Sequence, residues 1–223
     1  MLRLTNLKFS KERIGYYFIT DSVITTVPVV KQVESIVESG LGVKYIQYRE
    51  KHKPKKQMLA EVNEVKSLLP KQTKLIINDY VDLALEHADG VHIGEDDMPL
   101  EKVIDIAERN FGTQKKFVIG VSASTIDSVL NLNNYQIAYV GFGPIFATTT
   151  KRDAHAPVGL HALEQALKLS KHPIVAIGGI NTSNLDSVLA LKPSGIAAIS
   201  LVLGKRSINF SPIKKIQRSL LNT

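Results

Sequence analysis

The feature that most constrains this chain is a repeat of short apolar runs separated by helix-length amphipathic segments. Eight runs stand out: Tyr16–Thr20, Tyr45–Tyr48, Leu75–Ile77, Gly90–Ile93, Phe117–Val121, Tyr139–Phe142, Ile174–Ile177 and Ile196–Leu203. Each is too short for a helix and rich in β-branched or aromatic residues, so each reads as a strand. Between them, apolar residues recur at the spacing of one helix face: Val29, Val33, Ile36 and Val37; Leu100, Val103, Ile104 and Ala107; Ile126, Val129 and Leu130; Leu185, Val188 and Leu189. Thr125 before Ile126, and Ser211 with Pro212 before Ile213, are helix-start signals. The last helix is expected over Pro212–Leu220.

Eight β–α repeats in 223 residues predict an α/β protein, a single closed (β/α)8 (TIM) barrel over residues 16–223. Residues 1–15 are expected to form a short N-terminal extension packed on it. An open doubly wound sheet is the alternative. It usually has fewer strands and often a glycine fingerprint after the first, whereas the first run here ends Thr20-Asp21-Ser22. Trp is absent and aromatics are 6%, so the core must rest on Ile, Val and Leu, as parallel strands buried on both faces require.

The absence of cysteine excludes disulfides, thiolate metal sites and cysteine nucleophiles. Residues 1–11 hold no apolar run of signal-peptide length, and no segment is long enough to span a bilayer, so a cytoplasmic protein without membrane partners is expected. The net charge of +7 suits nucleic acid, anionic lipid or phosphorylated ligands, but from charge alone a solubilising surface is the better account. The basic residues are scattered and lack aromatic interleaving, so no nucleic-acid partner is expected. A homodimer is compatible with the sequence but not readable from it.

In a barrel of this kind the reactive face lies at the C-terminal ends of the strands. The second run ends Gln47-Tyr48-Arg49-Glu50-Lys51, and alternation places Gln47, Arg49 and Lys51 on one side if the extended chain persists that far. A donor, a guanidinium and an ammonium together suit an anion; a charged loop top explains the pentapeptide equally well. The third run ends Asn78-Asp79 and the fourth Gly94-Glu95-Asp96-Asp97. Carboxylates from neighbouring tips can share a divalent cation, and Mg2+ takes one or two carboxylates with water and phosphate oxygens. Taken alone, the acidic triplet reads better as a solvated loop. After the fifth run, Ser122 and Ser124 stand beside a helix N-terminus, a ready phosphate site. After the sixth, Thr148-Thr149-Thr150-Lys151-Arg152 forms a candidate anion loop. After the seventh, Gly178-Gly179 permits close backbone approach to a ligand. The eighth carries Ile199-Ser200, where barrels commonly bind phosphate. Of the histidines, His87 and His92 read as structural, and His155 and His161 follow the threonine loop. Core packing is the better account of Tyr48 and Phe146 than a pocket wall.

Six of these pieces, from Gln47-Tyr48-Arg49-Glu50-Lys51 through Asn78-Asp79, His92 to Asp97, Gly120-Val121-Ser122, Gly143-Pro144-Ile145-Phe146 with Thr148 to Lys151, and Ile177 to Ile180, fall in register on successive strands. Together they resemble the thiamine phosphate synthase family, in order from about Tyr16 to Gly204. The resemblance implies condensation of 4-amino-2-methyl-5-(diphosphooxymethyl)pyrimidine with 4-methyl-5-(2-phosphoethyl)thiazole to thiamine phosphate and diphosphate. It implies that Gln47, Tyr48, Arg49, Glu50, Lys51, Asn78, Ser122 and Lys151 hold the pyrimidine diphosphate and that Asp79 and Asp97 bind Mg2+. Thr148, Thr149, Thr150, Gly179, Ile199 and Ser200 would hold the thiazole phosphate. Arg49, Lys51, Lys151 and Ser122 would serve catalysis. The chain departs from the family pattern in three places: Ser124 stands where His is common, Ala147 where Pro is common, and Glu95 where Gln is common.

No residue is an obvious covalent nucleophile. The resemblance implies a dissociative route, in which the aminopyrimidine pushes electrons toward its methylene carbon and the carbon–oxygen bond ionises before the thiazole nitrogen attacks. Two other readings compete: a thiazole tautomerase on a related branch of the fold, whose His is the one replaced by Ser124, and a non-catalytic barrel that binds a phosphorylated ligand.

Overall fold

The computed structural model describes residues 12–112, 117–148, 150 and 156–221. Eight parallel strands close into a barrel in chain order: β1 Gly15–Ile19, β2 Tyr45–Tyr48, β3 Lys74–Asn78, β4 Gly90–Ile93, β5 Val118–Ala123, β6 Tyr139–Phe142, β7 Ile174–Ile177 and β8 Gly195–Ala197. Helices follow each strand: α1 Val29–Glu38, α2 Lys55–Leu68, α3 Val81–His87, α4 Leu100–Phe111, α5 Ile126–Leu132, α6 Gly159–Leu169, α7 Leu185–Ala190, and after β8 both α8 Ile199–Val202 and α9 Ser211–Leu221. Thr125 caps α5, its side chain accepting from the Ser128 backbone N–H. Most of residues 1–15 lie outside the described part of the chain.

Two readings need correction. The run Ile196–Leu203 is not one strand: β8 stops at Ala197, and the apolar sequence continues as α8, with Leu201 and Val202 buried. A continuous apolar stretch has no period to mark where the barrel wall ends. On α5 the buried residues are Val129 and Leu132, whereas Leu130 is 43% exposed.

Strand alternation sorts the core into two layers. Tyr16, Phe18, Ile46, Tyr48, Leu75 and Ile77 face the helices, in one apolar cluster with Val33, Met58 and Val62. Tyr17, Ile19, Tyr45, Ile76, Tyr139, Val175 and Ala197 fill the barrel interior. Tyr139 fits because Gly120 faces it: a Cβ on Gly120 would lie 2.1 Å from Tyr139 Cζ. Tyr17 stacks on Tyr45 with ring centroids 5.7 Å apart, and Tyr139 meets Tyr17 at 5.3 Å and Tyr45 at 6.0 Å. The seam between β1 and β8 spans two residue pairs, Gly15 with Gly195 and Tyr16 with Ile196. Gln217 of α9 braces it, accepting from Tyr16 N at 2.9 Å and donating to Leu41 O at 2.8 Å.

Candidate active site

The polar strand tips open into one cavity at the C-terminal rim. Gln47, Arg49 and Lys51 after β2, Asn78 and Asp79 after β3, and Asp97 after β4 line one part of its wall. Ser122 of β5, Thr148 and Thr150 after β6, Gly179 after β7, and Ile199 and Ser200 after β8 line the rest. β2 ends at Tyr48, yet the alternation it sets up carries through to Lys51. Thr149 and Lys151 lie outside the described residues, as do Arg152 and His155.

Tyr48 and Glu50 do not line the cavity, which corrects their expected place in the substrate site. Alternation turns both outward. The Tyr48 hydroxyl donates to Glu61 of α2 at 2.7 Å. Glu50 is buried, and its Oε1 accepts the backbone N–H groups of Lys51 and His52, both at 2.9 Å. Lys53 pairs with Glu50 at 3.3 Å and with Glu61 at 2.6 Å. Glu50 thus fixes the loop that carries Lys51. Phe146 packs against the helix-side core and likewise does not line the cavity.

Asp79 has φ +65°, a conformation rare outside glycine but tolerated by Asp. It turns the carboxylate toward Asp97 and Lys51, whose Nζ lies 3.3 Å from Asp79 Oδ2. Asp97 is held by the Gly94 N–H, which donates to Oδ2 at 2.6 Å. Burial, and then the neighbouring Asp97, push Asp79 up to about 6 against the opposing pull of Lys51. No group of three or more His, Cys, Asp or Glu side chains placed to hold a metal occurs among the described residues.

At the cavity floor a chain of hydrogen bonds crosses the barrel. Gln47 Nε2 donates to Tyr17 Oη at 3.2 Å, and Tyr17 and Tyr139 share a hydrogen bond of 2.6 Å. His92 Nδ1 lies 3.1 Å from Tyr139 Oη, and its Nε2 lies 3.0 Å from Ser122 Oγ. Burial raises both phenols far above their usual range, so both stay protonated. His92, read as structural from sequence, therefore sits in the cavity wall and ties Ser122 to the tyrosines. Tyr17 and Tyr139 were missed; the signal that finds them is alternation, which sets each opposite in sense to its outward neighbours.

The double glycine lines the cavity and also has a packing reason. A Cβ on Gly178 would lie 2.5 Å from Pro144 Cα, and one on Gly179 would lie 2.5 Å from the carbonyl oxygens of Phe146 and Ala147. The loops after β7 and β6 thus approach closely, sealed by Phe146 N donating to Gly178 O at 3.0 Å. Two of the departures from the family pattern also meet. Glu95 accepts from Ser124 Oγ at 2.9 Å and from Ser128 Oγ at 2.8 Å, joining the β4 loop to the start of α5.

Against this geometry, residues 16–202 match the family described as thiamine monophosphate synthase. The chain belongs to that family. It is 38% identical to the thiamine-phosphate synthase of Methanosarcina barkeri over 86% of this chain and 84% of that one. It is 42% identical to the thiamine-phosphate synthase of Chloroflexus aurantiacus over 76% of this chain and 77% of that one. Among solved structures, a thiamine phosphate pyrophosphorylase from Pyrococcus furiosus superposes with TM-score 0.76 at 31% identity, covering 95% of this chain and 96% of that one. Family membership and a closed barrel of eight parallel strands agree on the architecture.

Proposed function

We propose that the chain is a transferase that makes thiamine phosphate. It joins 4-amino-2-methyl-5-(diphosphooxymethyl)pyrimidine to 4-methyl-5-(2-phosphoethyl)thiazole and releases diphosphate. The observation that carries this reading is the convergence, on one cavity of a family member, of Arg49 and Lys51 with the Asp79–Asp97 pair on one part of the wall and of Thr148, Thr150 and Ser200 on another. Two anionic groups, a diphosphate and a phosphate, need two such places.

Mg2+ fits the carboxylate pair. Two carboxylates held together at a cavity wall, one with its proton affinity raised by burial and then by the other, are a destabilised arrangement that a divalent cation relieves. Asp79 and Asp97 would hold it, and when bound it would supply positive charge to the diphosphate oxygens. Arg49 and Lys51 bind the same diphosphate and stabilise the charge that grows as the carbon–oxygen bond breaks; Lys151 joins them in this reading. One opposite charge at contact is worth about 4 kcal/mol at an effective dielectric of about 20, close to three decades of rate if felt only in the transition state. Gln47, Asn78 and Ser122 orient the pyrimidine, with Ser122 held by His92. The threonine loop, Gly179, Ile199 and Ser200 hold the thiazole so that its nitrogen faces the methylene carbon, a positioning effect that replaces a covalent nucleophile.

Among the described residues no helix is long and apolar enough to cross a membrane. The decisive assay mixes the purified protein with both phosphorylated halves and Mg2+ and follows thiamine phosphate and diphosphate by mass spectrometry. Stoichiometric formation of both is expected. Neither product, or isomerisation of the thiazole alone, overturns the reading.

A further inference from the structure

Arg49 does not stand by itself at the cavity wall. Its Nη1 lies 3.2 Å from Oδ2 of Asp21, a residue from the turn after β1 whose side chain is almost wholly buried and does not line the cavity. The other oxygen of Asp21 is committed elsewhere: Oδ1 accepts the backbone N–H groups of Val23 and Ile24, both at 2.7 Å. The carboxylate is therefore fixed in plane before it meets the guanidinium. Its backbone is clamped as well. The buried Gln32 of α1 donates to Asp21 O at 2.8 Å and accepts from Asp21 N at 3.2 Å. A second tether runs from the same strand tip, where Thr20 Oγ1 accepts from Arg49 N at 3.0 Å.

A long, flexible cation placed against a diphosphate loses rotamer entropy on binding. A buried counter-charge removes that loss in advance, because a guanidinium presents several N–H donors and can give one to Asp21 while others face the cavity. We infer that Asp21 is a positioning residue that presets Arg49 for the diphosphate of the substrate, with Gln32 holding Asp21 in place. The inference rests on the synthase reading above.

The sign of the effect separates this role from simple electrostatics. Deleting a negative charge beside an anion site should tighten anion binding by Coulomb's law. Presetting predicts the reverse. The test uses inorganic diphosphate with Mg2+, titrated calorimetrically into the wild-type protein, Asp21→Asn, Arg49→Gln and the double variant. Asp21→Asn should weaken diphosphate binding by about tenfold, the scale of one charge-assisted hydrogen bond. In the Arg49→Gln background the same change should do nothing, and the KM for the thiazole phosphate should stay at its wild-type value in Asp21→Asn. Asp21→Ser, whose hydroxyl still accepts from the turn, replaces Asp21→Asn if the latter does not fold. Equal or tighter diphosphate binding in the Asp21 variant, or an equal loss with and without Arg49, overturns the inference alone. A wild-type protein that does not bind diphosphate overturns the synthase reading and this assignment with it.

Discussion

The interior tyrosine layer yields a prediction whose size follows from the coordinates. In Gly120→Ala the new Cβ would lie 2.1 Å from Tyr139 Cζ and 2.3 Å from its hydroxyl oxygen. Ordinary contact is longer by more than an ångström, so the ring must move. It cannot swing away freely. Tyr139 is 1% exposed, meets Tyr17 and Tyr45, and stacks on His92 at 5.6 Å. Overpacking of this kind costs about 1–3 kcal/mol. Displacing the hydroxyl also breaks its bonds to Tyr17 and His92, and a buried polar group left without a partner costs about 1–3 kcal/mol. The sum, about 2–6 kcal/mol, is a large share of the 5–15 kcal/mol typical of a whole domain. Urea denaturation of wild type, Gly120→Ala, Tyr139→Val and the double variant measures it. Tyr139→Val removes the obstacle, so Gly120→Ala should cost far less in that background. A loss below about 1 kcal/mol for Gly120→Ala alone, or full additivity in the double variant, would refute the claim that Gly120 makes room for Tyr139.

Three further outcomes are expected. Asp79→Ala should abolish Mg2+-dependent turnover while leaving the circular dichroism spectrum unchanged; a wild-type rate would remove Asp79 from the site. Thr150→Val should raise the KM for the thiazole phosphate several-fold, roughly the loss of one neutral hydrogen bond, and leave the pyrimidine KM nearly unchanged; equal effects on both would argue against separate subsites. Burial lowers the pKa of His172, so its neutral form is favoured in the fold. Its contribution is fully present above the unfolded imidazole pKa of about 6.5 and is lost as pH falls below that value. His172→Gln should flatten the decline in stability between pH 7 and pH 5, and an unchanged slope would assign that decline to other groups.

Much of the architecture was written in the runs themselves. All eight strands were legible because parallel barrel strands are short, apolar and bounded by turn residues, and seven of them end within two residues of the expected position. The eighth was overextended because Ile199 to Leu203 is as apolar as a strand although it turns into α8. The rim was legible residue by residue where alternation was applied, as for Gln47, Arg49 and Lys51. It was misread where a motif was taken whole, since the same alternation already sends Tyr48 and Glu50 to the helix side. Asp21 and Gln32 could not be found from sequence, because their importance lies in contacts with a strand tip some thirty residues away or in a neighbouring turn.

The seam between β1 and β8 has the shortest register in the barrel, and α9 reinforces it. Ile19 stands at the cavity end of one edge, and Ile199 and Ser200 at the end of the other. Both margins of the join therefore belong to the wall of the cavity. The first and last strands thus meet at the site itself, and Gln217 on α9 bears on its shape from outside the wall.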